Sequence, residues 1–228
     1  MICRAALIVY DVSDMPVKVS YKKFGECVSR TMSSFICDDK QIWKKTVAIN
    51  SSRHMAADAW RGAELWDLLD EDGMPVGATH VRGEALPHGA YHRVVEIFTL
   101  NAKGELLVTL RAPEKKLYPN MWETTGGAVV AGEDSLDAAR RELREETGLS
   151  VGLGELELLL THRGKSVFVD IYLAHKDADI SELTMQPGET VAARWVTLDE
   201  FERMMGDGLI PSPVCRRYAT VKYILQNR

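Results

Sequence analysis

Three glutamates, Glu142, Glu145 and Glu146, stand at i, i+3 and i+4 within residues 126–149, GGAVVAGEDSLDAARRELREETGL. At 3.6 residues per turn that spacing sets all three carboxylates on one face of a helix. Like charges so placed repel by roughly a few tenths of a kcal/mol per pair where exposed, and by more where water is excluded. A cation therefore belongs in front of them. Grouped hard oxygen donors suit Mg²⁺ or Mn²⁺, which bind a few carboxylates and keep positions open for water and phosphate oxygens. Gly126 and Gly127 allow a backbone turn tight enough for a main-chain carbonyl to join the ligands. Arg141, beside Glu142 and four residues before Glu145, can pair with an acid and fix its rotamer. Taken without the glycine loop, ARRELREE reads equally as a solvated helix laced with i,i+4 ion pairs.

The elements that must position these residues follow from periodicity and breakers. Nothing interrupts a helix over 135–147, Asp134 or Ser135 can cap its start, and Gly148 supplies a stop. Leu136, Ala139 and Leu143 recur on an adjacent face and can hold the helix against a sheet while its acids point into a cleft. Upstream, 64–69 and 75–80 flank Asp70, Glu71, Asp72 and Gly73, which predicts a β-hairpin. Strands over 92–100 and 105–111, joined by Asn101 to Gly104, predict a second hairpin, and a strand over 122–130 runs into the glycine loop. Downstream, 156–162 and 166–174 form a strand pair, 191–196 a further strand, and 198–205 and 214–226 two helices. Strands around one mid-chain helix, with helices at the end, predict an α+β fold with a mixed sheet between helices.

The frame Gly127, five residues, Glu133, seven residues, then Arg141 to Leu149 reading RELREETGL resembles the complete signature of the Nudix hydrolases. The resemblance runs from about Glu64 to the C-terminus. It implies a Nudix-type α/β/α sandwich with a mixed central sheet. It also implies a hydrolase of phosphoric anhydride bonds, with Mg²⁺ (or Mn²⁺) held by Glu142, Glu145, Glu146 and the Gly126 or Gly127 carbonyl. Glu142 or Glu145 is then the expected general base, with Glu189 the outsider, and Arg141 the residue that orients the acids. Glu133 would close the loop and hold the helix start, or bind an outer metal water, and Glu189, in GETVAARW, falls where many members carry one more acid near the metals.

The stretch 92–122, with FTLNAKGELLVTLRAPEKK and YPNMW, looks most like the isopentenyl diphosphate isomerases and related hydrolases. Where those isomerases carry a cysteine and a metal-binding histidine in the loop, this chain has Gly126 and Ala128, and their later acidic pair is replaced by Lys165 and Val167. His92 does match an isomerase metal-site histidine, and reads equally as a strand-start histidine with a structural hydrogen bond. Arg111, Lys115 and Lys116 flank the loop leading to the signature and are candidates for phosphate contact. Trp122 or Tyr118 can stack on a base.

The expectation is thus a metal-dependent hydrolase that cleaves a diphosphate bond in a nucleoside diphosphate linked to another moiety. An isomerase of prenyl diphosphates and a non-catalytic nucleotide sensor are the alternatives. The signatures of coenzyme A and ADP-ribose pyrophosphatases are not recognisable.

At 228 residues, 46% hydrophobic and 27% charged, the chain can build one substantial core. Its net charge of -5 argues against a nucleic-acid backbone as partner, while a small phosphorylated substrate remains compatible because a metal brings the positive charge. A homodimer is the candidate assembly. Cys3, Cys27, Cys37 and Cys215 lack CxxC spacing and read as reduced thiols. The apolar run 5–10 is too short for a membrane span or signal, so a cytoplasmic location is expected.

Composition shifts at about Met55. Residues 1–54 carry nine Lys or Arg against five Asp or Glu, and the remainder 19 against 28. Two readings of 1–54 stay open: an added subdomain with strands near 5–10, 17–20 and 47–50, or a stretch upstream of a natural start at Met55. Residues 55–228 form the catalytic domain in either reading.

Overall fold

The computed structural model describes residues 64–152 and 154–228. The extension 1–54, its predicted strands, the boundary at Met55 and the first three cysteines lie outside the described residues. Within them the strands are β1 Leu65–Leu69, β2 Pro75–Val81, β3 His92–Leu100, β4 Leu106–Arg111, β5 Trp122–Glu123, β6 Thr125–Ala128, β7 Leu156–Arg163, β8 Val167–His175 and β9 Thr190–Val196. The helices are α1 Ser135–Thr147, α2 Leu198–Gly206 and α3 Ser212–Leu225. No described helix is long and apolar enough to cross a membrane.

The β1–β2 hairpin turns where its sequence demands. Gly73 has φ 77°, and the Asp70 carboxylate accepts from the Asp72 and Met74 amides at 3.0 and 2.9 Å. The main sheet departs from expectation at the second hairpin. β3 and β4 are paired only at Leu100 and Leu106, and beyond that point β6 takes the place on β3, from Val94 opposite Ala128 to Ile97 opposite Thr125. The strand predicted over 122–130 is accordingly split. β5 lies on β4 and β6 lies on β3, so the chain from Trp122 to Ala128 crosses from one limb of a parted sheet to the other. The parallel pairing of β3 with β8, and β9 along β4, extend the two limbs.

Alternation places Val95, Ile97, Leu107 and Tyr172 on one face, where Ala138, Ala139 and Leu143 of α1 bury against them. The other face carries Phe98, Leu100, Leu106, Val108, Ile171 and Leu173, covered by Phe201 and Met204 of α2 and Tyr218 and Val221 of α3. The sheet is mixed and sandwiched by helices.

One buried acid ties the start of α1 to this frame. Asp170 on β8 accepts from Arg93 Nη1 at 2.7 and 2.9 Å, from Thr161 Oγ1 at 2.6 Å and from Ser135 Oγ, while Arg93 Nη2 reaches the Gly73 carbonyl at 3.2 Å. Asp170→Ala would leave the Arg93 charge without its partner, at a cost of roughly 3 kcal/mol. For a domain of this size the melting temperature is then expected to fall by about 6–12 °C. A calorimetric midpoint within about 2 °C of the native one would show that the network contributes little.

Candidate metal and phosphate site

The crossing strand and the acid helix meet at Gly127. A Cβ built there would overlap the Glu142 carboxyl group, so a side chain at this position and the present place of Glu142 exclude each other. At Gly126 a Cβ would come within 2.6 Å of the Val95 carbonyl oxygen. The intervening loop is fastened to the hairpin: the Gly132 amide donates to Asp67 Oδ2 at 2.7 Å and the Ala131 amide to the Leu65 carbonyl at 2.8 Å. Asp134 caps α1 by accepting from the Asp137 amide at 2.9 Å, and Gly148 ends the helix at φ 78°.

Arg141 is engaged at all five of its N–H groups. Nε and Nη2 donate to the two oxygens of Glu133 at 2.8 Å each, Nη1 donates to Glu142 at 2.7 Å and Glu145 at 3.2 Å, and Nη2 also donates to the Ala128 carbonyl at 3.0 Å. These bonds hold the Arg141 pKa above its usual value. Burial works against ionisation of Glu133, but the Arg141 hydrogen bonds and the Val130 amide outweigh it and lower the pKa. At Glu142 burial prevails over Arg141 and, with the Glu145 and Glu64 charges, raises the pKa. Glu145 is the most open of the group, with 40% of its side chain exposed.

Glu146 differs from the rest. It is 7% exposed, its Oε2 is buried with no hydrogen-bond partner, and the Gly126 amide supports the carboxyl group. Burial first, then the charges of Glu123, Glu142 and Glu189, push its pKa well above the carboxylate range. Each of those neighbours carries its own cation: Arg141 pairs with Glu142, Arg111 with Glu123, and Lys115 with Glu189. Glu123, on β5, escaped the sequence reading. The one signal for it is an acid placed just before the glycine turn, four residues ahead of Gly127.

The remaining sequence candidates lie further out. Lys116 is exposed. Trp122 packs on the opposite face of the sheet, with the Arg194 guanidinium 4.6 Å from its ring centroid. His92 stacks on Trp66 at 4.1 Å with its Nδ1 buried and unpartnered, so the structural hydrogen bond expected for it is absent at that nitrogen. Burial, followed by the charges of His80 and Arg82, lowers the His92 pKa.

The donor set suits a hard divalent cation: Glu146 has a buried, unpartnered oxygen, and the charges of Glu123, Glu142 and Glu189 bear on it. Among the described residues no three ligating side chains already stand at metal-holding spacing. Arg141 engages one oxygen of Glu142 and one of Glu145. An open concavity of about 540 Å³ lies instead beyond the far end of β3, lined by residues including Asn101, Asp177, Asp179 and Trp195. Its acids serve local structure, Asp177 accepting from the Ala102 amide and Asp179 from the Ser181 amide.

Comparison with known proteins agrees with this fold. The family described as NUDIX domain matches residues 90–212. The chain belongs to the Nudix family. An uncharacterised Nudix hydrolase of Listeria monocytogenes is 37% identical over 146 residues, covering 64% of this chain and 86% of that protein. The crystal structure of DR0079 from Deinococcus radiodurans superimposes with a TM-score of 0.55 at 29% identity, covering 64% of this chain and 91% of its own. An isopentenyl-diphosphate Delta-isomerase of Pectobacterium atrosepticum is 31% identical over 144 residues, covering 60% of this chain and 79% of that enzyme. As a Nudix enzyme, the chain is a hydrolase of phosphoric anhydride bonds, and enzymes of this family generally use divalent metals such as Mg²⁺.

Because folding raises the Glu146 pKa above its ordinary 4.5, the folded chain keeps a proton that the unfolded chain has released, and stability falls as pH rises above that value. In EDTA, Glu146→Gln is therefore expected to melt higher than the native chain at pH 8 and to lose that advantage near pH 4.5. Parallel melting curves across this range would remove Glu146 as the source of the charge strain.

Proposed function

We propose that this chain is a divalent-metal-dependent hydrolase that cleaves a diphosphate bond in a nucleoside diphosphate linked to another moiety. The observation that carries the reading is the Glu146 oxygen, buried without a partner among Glu123, Glu142 and Glu189. Glu142, Glu145 and Glu146, with the Gly126 or Gly127 carbonyl, would hold Mg²⁺ or Mn²⁺. When bound, the ion supplies positive charge to the phosphate oxygens and makes water a stronger nucleophile at neutral pH.

Arg141 fixes the carboxylates before substrate arrives, and Glu133 fixes Arg141 through its two parallel hydrogen bonds. Water attacks phosphorus in line, its proton passes to Glu142 or Glu145, and the P–O bond of the anhydride breaks as the leaving phosphate takes the electron pair. Arg111 and Lys115 would meet the phosphate oxygens. Tyr118, 40% exposed on the loop that carries Lys115, offers a face to the base, whereas Arg194 covers Trp122.

The likeness to an isomerase raises the second reading, alkene isomerisation of a prenyl diphosphate. Gly126 and Ala128 bring neither a thiol nor an imidazole to the loop, which favours hydrolysis. Incubation with isopentenyl diphosphate should yield no dimethylallyl product. In a chromatographic screen for hydrolysis products over nucleotide sugars, ADP-ribose, dinucleoside polyphosphates, nucleoside triphosphates, coenzyme A and prenyl diphosphates with Mg²⁺, a nucleoside diphosphate derivative should be turned over fastest, to a nucleoside monophosphate and the phosphorylated second moiety. Glu145→Gln and Glu146→Gln should each lower that turnover at least about a hundredfold while the fold persists. Near-native rates in both variants would contradict the site.

A further inference from the structure

The two cations available for phosphate are already engaged. Arg111, at the end of β4, pairs with Glu123, and Lys115, four residues on, pairs with Glu189. The loop between them is fixed by hydrogen bonds within it, to Glu189 and from Arg111. The Lys115 amide donates to the Ala112 carbonyl at 3.2 Å, the Ala112 amide to the Glu189 carbonyl at 2.8 Å, and Arg111 Nε to the Leu117 carbonyl at 3.1 Å. Both partner acids bear on Glu146, whose Oε2 is the buried oxygen with no partner. One carboxylate cannot be neutralised by its basic partner and release that partner to a substrate at the same time. A charge that replaces the partner must arrive first.

We propose that Glu123 and Glu189 are exchangeable counter-ions. They hold Arg111 and Lys115 until a divalent cation beside Glu146 takes over their neutralisation, which releases the two basic side chains to the substrate's phosphates. This rests on the hydrolase reading above and adds a coupling to it: metal and phosphate reinforce each other's binding through the protein's own ion pairs, beyond any direct contact between them.

The two pairs differ in depth. The Arg111 and Glu123 side chains are 16% and 15% exposed, so a separated Glu123 needs another cation close by. Lys115 and Glu189, at 20% and 39%, part more readily. Arg111 can then grip a phosphate through two N–H groups and Lys115 as a point charge.

Binding measurements on the full chain separate the two halves of the exchange. Lys115→Met and Arg111→Met leave the acids free for a cation, so Mn²⁺ affinity, read from the electron paramagnetic resonance of the unbound ion, should tighten about threefold or more. Glu189→Gln and Glu123→Gln leave the cations free, so the affinity for inorganic pyrophosphate, measured calorimetrically in EDTA, should tighten by a similar factor. Should a variant of the deeper pair fail to fold, Lys115→Met and Glu189→Gln decide alone. Tightening in both arms supports the exchange, and an unchanged or weakened affinity in either arm overturns it. Glu146→Gln reports separately on the hydrolase reading. If it binds Mn²⁺ as the native chain does, that reading fails; if it loses Mn²⁺ while Lys115→Met gains nothing, only the exchange fails.

Discussion

A carboxylate taken out of water beside other carboxylates is costly unless positive charge accompanies it. Glu146 is in that position, nearly fully buried, with one oxygen unpartnered and Glu123, Glu142 and Glu189 bearing on it. The surrounding structure limits the cost without removing it. Arg111, Lys115 and Arg141 each neutralise neighbours of Glu146, and none of the three pairs with Glu146 itself. A site so arranged favours a small, hard, multiply charged ligand, and a phosphorylated substrate can join through that ligand and through the basic side chains at its edge.

The parted sheet makes this juxtaposition available. Were β3 and β4 paired along their length, the segment 122–128 would have no place between them. Because they separate after Leu100 and Leu106, the crossing chain delivers Glu123 from one limb and Gly126 and Gly127 from the other. The helix α1 lies against one face through small side chains, Ala138 and Ala139, so its acids approach the glycines closely. Behind it, Asp170 ties Ser135 at the start of α1 to Arg93 and Thr161 on neighbouring strands.

What the sequence disclosed and what it hid divide by range. The limits of α1, its Asp134 cap and its Gly148 stop are local, and residues a few positions apart determine them. The Asp-Gly turn of the first hairpin and the burial of Val169, Ile171 and Leu173 on one face of β8 with Tyr172 on the other are equally local patterns. The separation of β3 from β4 depends on competition with β6 for one strand edge, and no window of adjacent residues reports that. Glu96, buried and bonded to Thr124 and to Arg217 of α3, 121 positions away, stayed hidden for the same reason. Glu189 and Lys115 were each legible as charged loop residues, but their pairing across 74 positions was not.

The most direct measurement is an anomalous difference map from crystals of the chain grown with Mn²⁺. The account predicts density about 2.0–2.5 Å from Glu146 Oε2, shared with an oxygen of Glu142 or Glu145. Density confined to the acidic concavity near Asp177 and Asp179, with none beside Glu146, would contradict it.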